Sequence, residues 1–219
     1  MSAAGFFDVH CALVLQDGWA ALTASDGAAF RALFPGVGDD ITTEWLNELA
    51  PTVDGARNQY GLEIRTAFVP EQTTLPFIVI QYLDEPEDEA PLGYLTMSKT
   101  ESGRKHGMLL RQTAQIHIMT PHPELTRCLH VSILAIMLSN RDFFVSNGYC
   151  DLEYQGGGDL QAQQDLMPEF LGAYVRTQRY TARADFDVTI STTLESHKVL
   201  VASADQVIGG TVGGVDSNT

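Results

Sequence analysis

His117, His122, Cys128 and His130 crowd one short stretch of a 219-residue chain, and imidazole and thiolate are the donors that zinc selects. A closed zinc site requires about four such donors converging tetrahedrally. Their settings point apart. His117 ends an alternating segment and His122 stands between two prolines. His130 falls on a helical flank beside Arg127, while Cys128 lies on the stripe that faces the core. The expectation is surface and interface histidines, with no metal and no other cofactor.

Other chemistry is equally thin. No GxSxG nucleophile elbow, HExxH helix or GxxxxGK[ST] loop occurs. Gly156-Gly157-Gly158 and the terminal GGTVGG lack the lysine and the strand-loop-helix setting of a phosphate cradle. The acidic run at Asp84, Glu85, Glu87, Asp88 and Glu89 has proline at its edges and lacks the Gly-centred spacing of a calcium loop. Asp185 and Asp187 share a strand face with Arg179 and Arg183, an ordinary place for cross-strand ion pairs. A small hydrolase or metal enzyme built on His117 and His122 is the catalytic alternative. Nothing in the sequence asks for an enzyme.

Composition narrows the classes further. The chain is 44% hydrophobic and 19% charged, the balance of a globular protein with a core. Thirteen Lys+Arg against 28 Asp+Glu leave a net charge of -15, which repels nucleic-acid phosphates instead of gripping them. Cys11, Cys128 and Cys150 show no CxxC spacing and read as free thiols of a reducing compartment. The N-terminus has no basic region before its apolar residues, and Asp8 and His10 interrupt them, so no signal peptide is expected. The longest apolar run, near Val131–Leu138, falls far short of the roughly 20 residues a membrane helix needs.

The elements that position these residues centre on Gly107–Tyr149. Leu110, Ala114, Ile116 and Ile118 alternate with Arg111, Thr113, Gln115 and His117, the pattern of a half-buried strand. Thr120 is the expected N-cap of the following helix, with proline in its first turn. From Glu124 the period becomes helical, with Leu125, Cys128, Leu129, Ile133, Ile136 and Met137 forming a core stripe. A second stripe, Val131, Leu134, Ala135 and Leu138, lies on the flank left free. A helix apolar on two sides requires cover on two sides.

Around this stretch, residues 1–35 carry two short helical patterns, and a helix starts at Thr42 or Thr43 and stops at Pro51, with Thr52–Tyr60 able to extend it. Leu62–Phe68, Pro76–Leu83 and Leu92–Met97 read as strands, the second buried on both faces. After Asn147-Gly148 come a short strand at Tyr149–Tyr154, a Gly- and Gln-rich loop over Gln155–Gln164, and a short element at Met167–Leu171. A last strand from Tyr174 exceeds a usual strand, so a bulge or a part extending beyond the domain is expected. The sum is an α/β (α+β) protein. It has a mostly antiparallel β-meander with helices on one face, an N-terminal helical extension (1–40), a core domain (41–192) and a C-terminal extension or tail (193–219). The connection bearing Asp84, Glu87 and Asp88 is acidic and the one bearing Lys99, Arg104 and Lys105 is basic. They read as solvated loops or as complementary poles that order subunits head to tail. The candidate subunit interface therefore comprises those six residues with Val131, Leu134, Leu138, Arg127, Arg179 and Arg183.

The order of elements, carried by LPFIVIQYL, RQTAQIHIMTPHPELTRCLHVSILAIML, SNGYCDLEY and YVRTQRYTARADFDV, resembles the tail-terminator (tail-completion) and neck proteins of long-tailed bacteriophages over roughly residues 41–190. That resemblance implies a non-enzymatic structural virion protein, assembled in the host cytoplasm. It implies a homo-oligomer, a hexameric ring at the head-tail junction. Such a ring ends the tail tube or sheath and joins it to the head connector. DNA would pass through without specific binding, and no membrane is involved. The alternative is a baseplate or other tail adaptor binding through its terminal arms.

Overall fold

The computed structural model describes residues 6–58, 61–66, 74–83, 98–100, 103–163 and 173–191. The chain forms two compact units, Met1–Asp88 with Leu110–Ala184 and Glu89–Leu109 with Asp185–Thr219. The architecture is α/β, as the periodicities predict. Helices α1 (Phe7–Thr23), α2 (Ala28–Ala32), α3 (Asp39–Leu49), α4 (Pro123–Ser139) and α5 (Arg141–Ser146) accompany strands β1 (Thr52–Val53), β2 (Ala56–Arg57), β3 (Glu63–Arg65), β4 (Phe77–Leu83), β5 (Ser98–Thr100), β6 (Gly103–Thr120), β7 (Tyr149–Gly157), β8 (Gln161–Gln163) and β9 (Ala173–Ser191). No helix among the described residues is long and apolar enough to cross a membrane.

The main sheet runs β3-β4-β6-β9-β7, with β5 added to β6 and β8 to β9. The meander order holds only in part. β3 lies parallel to β4, Ile64 opposite Ile78, and β9 inserts between β6 and β7. A parallel neighbour requires a crossover instead of a tight turn, and period-two alternation says nothing about strand direction. Ile78, Ile80, Ala114, Ile116, Ile118, Tyr180, Ala182 and Ala184 join the helices in one core. On the other face Phe77, Val79 and Met119 form a second, smaller buried cluster with Leu75 and Val175. The β4 segment is thus buried on both faces, as its unbroken apolar run predicts. The face of β6 expected to be polar is partly closed too, with Thr113 buried beside that register.

The helices of the N-terminal segment contribute to the main core. Phe7, Cys11, Val14, Leu15 and Trp19 of α1 are buried, as are Phe30 of α2 and Leu46 and Leu49 of α3. Each such side chain contributes about 1.5–3 kcal/mol of transfer free energy. Phe7 stacks edge-on to Phe144 of α5, centroids 5.8 Å apart, and leans on Tyr149 of β7 at 5.3 Å. His10 Nδ1 meets the Tyr149 hydroxyl at 2.9 Å. The two patterns expected over 1–35 are one 17-residue helix and a shorter piece, broken where Ser25, Asp26 and Gly27 all take positive φ.

Gly18 sets the approach of α1 to α4. A Cβ built there would lie 2.3 Å from Ile136 Cγ2, so only hydrogen fits the seam. The same position fixes helix rotation, because Gly18 and Ile136 define the sides by which the two helices meet.

Several local expectations are corrected. Residues 52–58, the described part of the expected extension over Thr52–Tyr60, do not extend α3. β1 and β2 form a hairpin in which Val53 pairs with Ala56 across Asp54 and Gly55, both at positive φ. Such a turn is the standard hairpin geometry for Asp-Gly. Thr120 is not the N-cap of α4. His122 holds that position with no side-chain cap bond, and Pro123 at N1 leaves one fewer N–H to satisfy. Thr120 Oγ1 instead donates to His122 O at 2.7 Å and meets Thr126 Oγ1 at 2.7 Å. The Gly-rich stretch after Gln155 is loop only at residues 158–160, since β7 continues to Gly157 and β8 begins at Gln161. The bulges expected in the last strand sit in its partner. Register shifts occur between Cys150 and Glu153 and between Tyr154 and Gly156, where Asp151 (φ 57) and Gly156 (φ 111) take the conformations the extra residues require. Leu92–Met97, Met167–Leu171 and the segment after Ser191 lie outside the described residues.

Filling the α1–α4 seam should be costly. Gly18→Val is expected to destabilise by about 1–3 kcal/mol, and Ile136→Ala added to it should recover part of that loss. Urea unfolding of both single variants and the double variant measures the coupling; strictly additive effects would contradict this account of the seam.

Candidate functional site at the outer flank of the central helix

The inner stripe of α4, Leu125, Cys128, Leu129, Ile133, Ile136 and Met137, is buried, as its 3.6-residue period predicts. The second stripe is left largely open by the described residues. Val131 is 40% and Leu138 51% exposed, with Leu134 and Ala135 half-buried between them. The stripe continues onto α5, where Val145 is 64% exposed. Asn140, between the two helices, has φ -104 and ψ 24, outside the helical range, and separates α4 from α5. Ile136 faces α1. At about 100° per residue, Val131 and Leu138 stand roughly 140° and 160° round the helix from it, so the ridge points away from the α1 seam.

The other candidate interface residues do not gather on this ridge. Arg127 does, exposed one turn before Val131. Arg179 and Arg183 project from the opposite face of the sheet, because Tyr180, Ala182 and Ala184 alternate with them toward the helices. Arg179 is exposed, and Arg183 Nη1 pairs with Asp151 Oδ2 across the strands at 3.4 Å. Asp84, Glu87 and Asp88 lie outside the described residues. The basic segment forms a hairpin. β5 pairs antiparallel with the start of β6, Lys99 opposite Arg104 and Ser98 opposite Lys105. Thr100 opposite Gly103 leaves only a two-residue connection, the length that favours a tight hairpin.

The histidines separate. His122 is exposed and His117 half-buried, its Nε2 without a hydrogen-bond partner and its pKa lowered by desolvation. His130 is not at the surface but 9% exposed under β9. Gln178 Nε2 donates to His130 Nδ1 at 2.8 Å and to His130 O at 2.7 Å, and the Tyr180 hydroxyl donates to Gln178 Oε1 at 2.7 Å. An Nδ1 that accepts is unprotonated, so the ring is neutral. Desolvation and, after it, the Arg176 charge lower its pKa to about 4. Burial pushes the Cys128 thiol up to about 12, which leaves it inert. No three His, Cys, Asp or Glu among the described residues are placed to hold a metal ion.

Among the described residues, depressions near the helices include three of note. One, about 310 Å³, is lined by Gln16, Trp19, Leu62 and Glu63, and both Trp19 Nε1 and Glu63 Oε2 lack partners there. A second, about 520 Å³, brings Trp45 together with Glu44, Glu48, Glu124 and His122. The third is an apolar groove of about 470 Å³ between α1 and β3, lined by Val9, Ala12, Leu13, Gln16, Ile64 and Thr66. Val9 and Leu13 are 40% and 45% exposed. The sequence reading missed this groove and Val145. Both were within reach of the two-stripe argument, since α1 is apolar on more than one side and the series 131, 138 continues to 145. Gln178 carried no such sign, because nothing local distinguishes a buried glutamine from an exposed one.

No protein-family model and no curated protein matches this chain.

The buried network has a pH signature. As pH falls from 6.5 toward 4, the unfolded chain takes up a proton that folded His130 refuses, so stability falls through that window, by up to about 3 kcal/mol, and His130 adds no pH dependence above it. Urea midpoints at about pH 7 and pH 5 should therefore differ more in the parent than in His130→Gln. Equal differences would dispose of the assignment.

Proposed function

We propose that the protein is a structural virion subunit that assembles into a ring, hexameric by the resemblance, at the head-tail junction of a long-tailed phage. There it ends the tail tube or sheath and joins it to the head connector. The observation that carries this reading is the bare apolar ridge Val131–Leu138–Val145 on the helix most deeply embedded in the core. An apolar stripe kept in water costs solubility, and evolution uses such stripes for contact with another chain. The remainder of the surface fits a scaffold. Among the described residues, the buried thiols Cys11 and Cys128 and the scattered histidines supply no nucleophile-base pair of the kind hydrolysis requires. A net charge of -15 suits a conduit through which DNA passes, since a negative wall lets phosphates move without binding.

Sedimentation velocity and negative-stain microscopy of the purified protein, alone and with isolated tails, test this. Rings or tail-end caps are expected, and Val131→Asp with Leu138→Asp should weaken assembly more than tenfold while leaving the circular-dichroism melt near that of the parent. A double variant that assembles and caps tails normally would remove the ridge from the proposal.

A further inference from the structure

We infer that the hydrogen-bonded chain His130–Gln178–Tyr180 is a proton-operated latch: one proton taken up at His130 obliges the middle of α4 to part from β9 while the rest of the core stays closed. The geometry fixes every orientation in the chain. Gln178 Nε2 lies 2.7 Å from His130 O and 2.8 Å from His130 Nδ1. A backbone carbonyl only accepts, so the amide nitrogen, not the amide oxygen, must face it. Both N–H groups of that nitrogen are then engaged, one by the carbonyl and one by Nδ1. At the other end of the amide, Oε1 accepts from the Tyr180 hydroxyl at 2.7 Å.

A proton on Nδ1 has no place in this arrangement. It would point at the Gln178 N–H, two donors 2.8 Å apart. Turning the amide over would give Nδ1–H an acceptor, but it would set Oε1 against His130 O across the present 2.7 Å, with no hydrogen between two acceptors. Turning the imidazole over would put ring carbon against the Gln178 N–H and leave that donor unmet in a buried site. Movement toward β7 is blocked as well. A Cβ built on Gly157 would lie 3.1 Å from His130 Cε1 and 2.9 Å from the Tyr154 hydroxyl, so the strand backbone stands against the ring's edge. Among the described residues, the titratable groups round the ring are Arg176 and Tyr180 on β9, Tyr154 on β7 and Arg127 one turn back on α4. None is a carboxylate, and the Arg176 charge opposes a second positive group.

The imidazolium is therefore satisfied only when helix and strand separate and water reaches the ring. The separation is local because other contacts hold both elements. β9 keeps its ladder to β7, Tyr180 opposite Tyr154, and α4 keeps its seam with α1 at Gly18 and Ile136; neither runs through the imidazole. Val131 adjoins His130, so the exposed stripe of α4 loses its fixed footing in the same step.

Two side-chain N–H groups of the parent protein test this in one set of 15N NMR spectra. The Gln178 amide reports the latch. The Trp19 indole N–H, buried in α1 and without a hydrogen-bond partner, reports the rest of the core. Exchange of each with water is measured at about pH 7 and pH 5 and divided by that of the same group in the urea-unfolded chain at the same pH. A ring that titrates at about 4 when closed and at its ordinary value when open makes opening about 20-fold more frequent at the lower pH. Gln178 exchange should rise by that factor and Trp19 exchange by far less. Equal rises would mean that acid opens the whole core, and an unchanged Gln178 exchange would mean that the proton is accommodated without opening; either result overturns the latch. In His130→Gln the corrected Gln178 exchange should no longer depend on pH, and a rise of parental size there also overturns it. The comparison of the two groups within the parent needs no variant, so it decides the matter even where His130→Gln fails to fold.

Discussion

The molecule depends on the burial of α4 along two of its sides at once. Its lower side, with Ile133 and Met137, shares one core with the sheet residues Ile116, Ile118, Tyr180 and Ala182, and its lateral side meets α1 at Ile136. A helix pinned in two directions can neither roll nor slide, and close-packed interiors transmit that constraint to their neighbours. The rotation of α4 fixes which residues are left over. Val131 and Leu138 face water because Ile136 and Ile133 cannot.

That constraint explains why the N-terminal helices belong to the core. Without α1, Ile136 and Leu129 would lie open, and the aromatic group of Phe7, His10, Phe143, Phe144 and Tyr149 would lose its central ring. The His130–Gln178–Tyr180 chain serves the same end by a different means. It ties the middle of α4 to β9 with bonds that have a defined geometry, where apolar contacts alone would tolerate a slip of register. Its cost is sensitivity to acid, since the imidazole must stay neutral to accept.

The candidate site follows from the same packing. Apolar residues on the far side of α4 and on the far side of α1 are exposed for one reason, that none of the described elements packs over them. A further helix in the layer would have covered one patch or the other. Its place is open to a second chain.

Much of this was legible in the residues themselves, for the reason that periodicity reports burial directly. The α4 core stripe, the doubly buried β4, the alternation of β9 and the surplus apolar flank at Val131, Leu134 and Leu138 all appear in the sequence as spacings. Other features did not. His130 looked like a flank residue because the helical wheel locates it beside Arg127, and only β9 crossing beneath α4 converts that position into a buried one. Thr120 looked like a cap because caps are recognised by type, whereas the chain needed its hydroxyl to hold Thr126. The parallel β3–β4 pair and the insertion of β9 between β6 and β7 depend on long-range pairing, which leaves no mark on the spacing within a strand. By itself the sequence determined which faces of each element are apolar, since that is a property of neighbours a few residues apart. Tertiary structure alone decided which of those faces the chain covers. Cover for α4 comes from residues as distant as Gly18 and Tyr180, and local order carries no record of where the chain returns.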